Sequence, residues 1–140
     1  MKENPDIKLK PVDKSDFRFL YQHLKERNPS ANISHKKMPT YTEHVKFVRS
    51  RPYSKWYIII HENKKVGTIY LTKQNEIGIF IKNKMQDKQI GQRTLELLME
   101  KNPRKRYLAN VSPKNKKSIR FFTRNGFKLI QYTYEHFKII

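Results

Sequence analysis

The chain has 140 residues, 36% of them apolar, with no cysteine and a formal net charge of +19. Such a length supports one domain, 1–140, with one core, and the missing cysteines exclude disulfides, thiolate metal sites and a cysteine nucleophile. The histidines lack ligand spacing, no apolar run nears the roughly 18 residues of a membrane span, and Met1-Lys-Glu-Asn-Pro5 is no signal peptide; no metal is expected, and a soluble cytoplasmic protein is.

A strand is expected at Ile7 to Val12, then a helix from about Ser15 to Arg27 with Phe17, Leu20, Tyr21 and Leu24 on one face and Asp13 or Ser15 as its cap. The polar stretch from Asn28 to Pro39 reads as a loop, and a helix follows near Thr42 to Ser50, bounded by Arg51-Pro52. Lys55 to Glu62 and Val66 to Lys73 are dense in Ile, Tyr and Val, and Asn63-Lys-Lys65 between them suits a hairpin. Glu76 to Lys82 reads as the next strand, Gln86 to Gly91 as a polar turn, and Gln92 to Met99 as an amphipathic helix.

A strand at Tyr107 to Val111 then leads into a helix that Ser112-Pro113 suits as N-cap and first position. Asn125-Gly126-Phe127 suits its end, with a left-handed glycine and an apolar residue packing back. Lys128 to Ile140 carries the last strand, with Tyr132 and Tyr134. The order β-α-α-β-β-β-α-β-α-β predicts an α/β fold, a mixed sheet covered by helices.

The charge invites a nucleic-acid reading, because a basic surface binds polyphosphates by counterion release. Its distribution weakens that reading: lysines outnumber arginines and are spread through every element, whereas nucleic-acid readers concentrate arginine and aromatics on one face. A solvated lysine-rich surface and attraction of a phosphate-bearing ligand are the leading explanations, with nucleic acid left as a third.

The two strand-to-helix junctions are the specific features. Gln86-Asp-Lys88-Gln89-Ile90-Gly91-Gln92 opens one helix, and Asn115, Ser118, Phe121, Phe122, Gly126 and Phe127 mark the other. Together they resemble the GCN5-related N-acetyltransferase (GNAT) family, over roughly Ile7 to Phe137 and specifically from Glu76 onward. The resemblance implies a central mixed sheet with splayed central strands, about four flanking helices, and acetyl-CoA as the acyl donor.

A helix start supplies unpaired N–H groups and a favourable dipole for a pyrophosphate, so the resemblance assigns Gln86, Lys88, Gln89, Ile90, Gly91 and Gln92 to coenzyme A; a plain helix-start turn explains the same residues. Gln89 stands where relatives place the first glycine. Relatives use the asparagine matching Asn115 to hold the pantetheine arm, with Ser118 and Phe122 beside it, although Asn115 could merely satisfy the first helical turn. The thioester is expected near Phe80 and Ile81, where the strands diverge and leave backbone groups unpaired.

Acetyl transfer to an amine needs a proton acceptor and usually a donor for the thiolate. Glu76, at the start of its strand, is the base candidate, with a solvent-facing turn residue as the alternative. Many relatives place a tyrosine acid where this chain has Phe122, which cannot donate; Tyr132 and Tyr134 could substitute, or simply pack on the sheet. His44 faintly resembles a sugar-side histidine of aminosugar-nucleotide acetyltransferases, and is equally explained as one position on a half-buried helix face.

The expected function is therefore acetyl transfer from acetyl-CoA to a primary amine, preferably of a small molecule such as an aminosugar nucleotide. A protein or peptide amine, and a non-catalytic acyl-CoA-binding or nucleic-acid-binding module, are the rivals. Pro29 to Arg51 is expected to wall the acceptor side, and an edge at the last strand could pair with a second subunit.

Overall fold

The computed structural model describes residues 5–27, 38–86 and 89–138. Lys88 and the greater part of the loop expected at 28–39 lie outside them.

Strands β2 (Lys55–His61) and β3 (Lys64–Leu71) form a hairpin because Glu62 and Asn63 take φ of 50° and 63°. Two consecutive left-handed residues give the turn whose twist matches that of the flanking strands. β1 (Ile7–Pro11) and β4 (Ile77–Ile81) add antiparallel at the two edges, in the order β1-β2-β3-β4.

Both faces of this sheet are covered. Tyr57 and Ile59 pack with Ile7, Leu9, Ile69, Leu71 and Ile77 under helix α3 (Ile90–Lys101), while Ile58 points the other way against Leu20 and Val48. Those last two belong to helices α1 (Phe17–Glu26) and α2 (Tyr41–Arg49). Double burial is why β2 reads as a continuous apolar run rather than an alternating one.

The helix starts are set by side chains. Asp13 and Asp16 form a capping box around a 3₁₀ turn at Lys14–Asp16 before α1, and Thr40 and Glu43 form one at α2. Asp16 is fully buried and accepts from both Lys10 and Lys65 at 2.6 Å, tying the start of α1 to β1 and β3. Helix α4 (Lys116–Arg124) is capped by Asn115, not by Ser112: the Ser112 hydroxyl accepts from Lys114 N–H in a turn one step earlier. Its end follows the expectation. Gly126 has φ of 89°, Phe127 N–H bonds back to Phe122 C=O at 3.0 Å, and the two rings pack at 5.1 Å.

Two expected strands do not form as strands. At 107–111 pairing among the described residues is limited to one parallel bridge, Glu76 with Leu108, where Ile77 N–H donates to Leu108 C=O at 2.7 Å. Residues 128–138, expected as the last strand, make no backbone hydrogen bond to the sheet among the described residues. Leu129, Ile130, Tyr132, Tyr134 and Phe137 there are 65–90% exposed. No described helix is long and apolar enough to cross a membrane.

Candidate active site

Past the bridge, β4 and 109–111 diverge, and a cleft of about 1540 Å³ opens between them. Which backbone groups face it follows from the register. Ile77 N–H donates across the split, whereas Lys82 N–H donates to Val66 C=O on the β3 side. Alternation along a strand then turns the N–H and C=O of Ile79 and Ile81 toward the cleft. Gln86 Nε2 occupies the Ile81 carbonyl at 3.0 Å, while the Ile79 pair has no partner among the described residues.

At one end of the cleft stands the N-terminus of α3. Gln89 precedes it with φ of 62° and ψ of 10°, the left-handed conformation for which glycine is suited, and its side chain makes no cap. The first N–H groups of α3 therefore lack intrahelical partners. Gly91 is explained by packing as well: a Cβ there would lie 2.9 Å from the Phe121 ring of α4. Ile90 is 1% exposed and its side chain belongs to the core, so only its backbone N–H is available to a ligand. Gln92 lines the cleft and donates to Glu96 at 3.4 Å.

On the second helix, Asn115 Oδ1 accepts from Ser118 N–H at 3.1 Å, and the carboxamide nitrogen of Asn115 has no partner among the described residues. The side chain thus does both things weighed from the sequence: it caps α4 and leaves a donor on the cleft wall. Lys117 donates to Gln86 Oε1 at 2.7 Å, joining the two helix-start loops. Lys82, Lys84, Lys114 and Arg124 also line the cleft, giving a cationic rim that suits a polyphosphate. Phe122 is buried against Phe121 and Phe127 at the cleft floor.

Glu76 sits at the apex of the split. Its carboxylate accepts from Thr72 Oγ1 at 3.1 Å and from Asn110 Nδ2 at 2.5 Å, while Thr72 Oγ1 accepts from its backbone N–H at 3.0 Å. It is an oriented group on the cleft wall, not a solvent-facing turn residue.

The other face of the sheet supplies an aromatic wall. Trp56, Tyr70 and Phe80 share the parity of Ile58, so they project toward α1 and α2, away from α3. Tyr53 stacks on Tyr70 at 3.9 Å and 3°, and packs edge-on to Trp56 at 4.8 Å. The Arg27 guanidinium lies 3.4 Å above the Phe80 ring centroid. Burial, offset in part by Tyr70 and Tyr53, lowers the Arg27 pKa from its ordinary value; burial likewise raises that of both phenols. His23 Nε2 donates to Phe80 C=O at 3.0 Å, and burial depresses its pKa, keeping the imidazole neutral near pH 7.

The structure thus brings Glu76, Phe80, Ile81, Gln86, Gln89, Gly91, Gln92, Asn115, Ser118 and Phe122 to one cleft. It leaves out four described residues, the first being Ile90, whose side chain lies in the core. Tyr132 and Tyr134 stand on the exposed 128–138 segment and do not line the cleft, so neither replaces the acid missing at Phe122. His44 is 5% exposed, packed among Tyr21 and Phe47, and does not line it either. Arg27, Tyr70, Ile79 and Asn110 were missed from the sequence. The i, i+4 placement of His23 and Arg27 at the end of α1 could have drawn attention to the first; the others depend on strand register.

A sheet split at its fourth strand, with a helix N-terminus closing the cleft, defines an acyltransferase fold, and the comparisons agree. Residues 17–127 match the sequence model of the acetyltransferase (GNAT) family. The chain belongs to that family of acetyltransferases. No curated protein matches it in sequence.

Among solved structures, a domain from Methanocaldococcus jannaschii DSM 2661 is 25% identical, with TM-score 0.80 and 94% of each chain covered. Spermidine N-acetyltransferase from Vibrio cholerae, in complex with CoA and spermine, is 17% identical, with TM-score 0.78 and 96% and 88% covered. RimL, a ribosomal L7/L12 alpha-N-protein acetyltransferase in complex with coenzyme A, is 21% identical, with TM-score 0.72 and 89% and 81% covered. The last two likenesses are of fold.

Proposed function

We propose that the protein transfers an acetyl group from acetyl-CoA to the primary amine of a small molecule, and that the two ligands meet at the split from opposite faces of the sheet. The observation that carries this is the unpaired Ile79 backbone pair lying between the open N-terminus of α3 and the Glu76 carboxylate.

The residues fit coenzyme A. The N–H groups of α3 and the lysine rim would take the phosphates, the Ile79 N–H and C=O would pair with pantetheine amides as an added strand does, and the Asn115 carboxamide would hold the arm. Bound acetyl-CoA supplies the thioester. Glu76, fixed by Thr72 and Asn110, takes a proton from the acceptor's ammonium, directly or through one water, so that the free amine can attack the thioester carbonyl. Phe122 offers no proton and no described tyrosine of the last segment lines the cleft, so departure relies on the low basicity of a thiolate. A backbone N–H at the split is the donor for the developing oxyanion.

An aminosugar nucleotide was suggested by His44, which contributes no surface to the cleft; the class of amine is better read from Arg27. A second copy of the chain fits the exposed 128–138 segment. Exposed Ile130, Tyr132 and Tyr134 alternate along that segment, and 109–111 makes no strand pairing among the described residues, so reciprocal pairing of the two would close as a two-fold dimer.

The test is Asn115→Ser. Serine keeps the helix cap, so melting should hold, while acetyl-CoA binding measured by calorimetry should weaken roughly five- to tenfold from the lost donor. Unchanged affinity removes Asn115 from the cofactor site, and no binding to the wild type removes the function.

A further inference from the structure

The acceptor side of the cleft holds a cation that no described group neutralises. Arg27 lines the cleft on the α1 side, its plane against Phe80 and its surroundings formed by Tyr53, Tyr70 and the buried His44. Its Nε is buried with no hydrogen-bond partner among the described residues. A buried guanidinium N–H without an acceptor is costly, and such groups are normally paired.

Both carboxylates that line the cleft among the described residues are engaged elsewhere. Glu76 accepts from Thr72 and Asn110, and Glu26 accepts from Gln22 at 3.2 Å. Neither forms an ion pair with Arg27 among the described residues. Tyr70 and Tyr53 carry neutral hydroxyls, and His23 and His44 are held neutral by burial. Arg27 is thus a positive charge held over an aromatic ring, with neutral phenols and imidazoles around it and no carboxylate paired to it among the described residues.

We propose that Arg27 receives an oxyanion carried by the acceptor itself, so that the substrate is an amine bearing a carboxylate or a phosphate, and not a polyamine. This rests on the acetyl-transfer reading and names its acceptor class. The planar guanidinium fork suits carboxylate and phosphate alike, and stacking on Phe80 fixes its plane before the ligand arrives. A polycation would meet a buried like charge in a chain of net charge +19. Arg27 lies on the α1 and α2 side of the sheet and the α3 N-terminus on the other, so this anion site is separate from the one proposed for the coenzyme A phosphates.

The experiment compares matched acceptors on the full chain, in wild type and Arg27→Met, which keeps an unbranched stem to lie on Phe80. The pairs are aminoethyl phosphate against ethanolamine, and β-alanine against β-alaninamide, with spermidine as the polycation. CoA release gives kcat/KM, and calorimetry gives the affinity of each amine for the CoA-loaded protein. The wild type should favour at least one anionic member by roughly tenfold or more in both readouts, and in Arg27→Met that ratio should fall toward one. Which pair shows the ratio tells phosphate from carboxylate.

A wild-type preference for spermidine or the neutral members overturns the proposal, as does a ratio that survives in Arg27→Met. If the loaded protein binds the anionic amine through Arg27 but releases no CoA, the anion site stands and the transfer reading falls. If acetyl-CoA and CoA fail to bind while the unloaded protein shows the same Arg27-dependent preference, the cofactor assignment alone is wrong.

Discussion

Asn110 donates its carboxamide to Glu76 Oε2 at 2.5 Å, across the one bridge that still joins β4 to the segment at 107–111. The bond sits where the sheet begins to open, so the same carboxylate anchors the split and faces the space inside it. Structural and chemical roles separate under substitution. Glu76→Gln should lower kcat/KM by about 10² or more, as expected for a positioned general base, with a small change in melting temperature. A clear loss of melting temperature with turnover retained would make Glu76 an anchor only.

Gln89→Gly should tighten acetyl-CoA binding, or at least leave it intact, while stabilising the fold by up to about 1 kcal/mol. Gln89 already holds φ of 62°, a conformation that glycine adopts without the Cβ conflict. Calorimetry and thermal melting read the two effects separately. Weaker binding would mean that the Gln89 side chain itself contacts the cofactor.

Asp16 should dominate acid unfolding of the N-terminal half. Burial alone would raise its pKa, but the hydrogen bonds from Lys10 and Lys65 outweigh it and the net shift is downward. A carboxylate depressed in the folded state stabilises above its unfolded value near 3.8, and that contribution is lost as pH falls through the folded value. Asp16→Asn should cost about 2 to 4 kcal/mol at pH 7, because two lysines lose their partner, and should flatten the stability profile below about pH 5. Denaturant titrations from pH 7 to 3 measure both, and an unchanged profile would assign the acid sensitivity elsewhere.

The 128–138 segment should bring two copies together. Sedimentation should find a dimer for the wild type at micromolar concentration, and Ile130→Asp with Tyr132→Asp should yield a folded monomer. Tyr132→Phe and Tyr134→Phe should leave turnover within about twofold and the alkaline limb of the pH profile in place, since neither hydroxyl lines the cleft. A monomeric wild type would leave the apolar side chains of the segment without this explanation.

Most of the elements were legible because each rests on local physics: apolar spacing in α1, the apolar run of β2, Asn63 at the hairpin, Gly126 and Phe127 as a stop. The start of α2 was read late, at Thr42 instead of Tyr41, because the Thr40 and Glu43 box was not recognised. The family resemblance was equally local, carried by Gln86, Gly91 and Asn115 at two helix starts, and the family match covers it. The strands at 107–111 and 128–138 misled the reading because β-rich composition says only that a segment can pair. A partner is a long-range fact. One bridge was all the first found, and the second found no backbone partner among the described residues.

Register decided the rest. Alternation in β4 turns Ile79 toward the split and Phe80 toward α1, a difference of one residue that the sequence does not express until Ile77 is seen to bond Leu108. Tertiary packing then set Arg27 on Phe80 and closed the core over His44. By itself the sequence determined the fold family and the helix-start ends of the cleft, since caps and turns act within a few residues. Only the folded chain decided what faces the acceptor, because that surface is assembled from α1, β2, β3 and β4, brought together by burial and strand pairing rather than by neighbourhood in the chain.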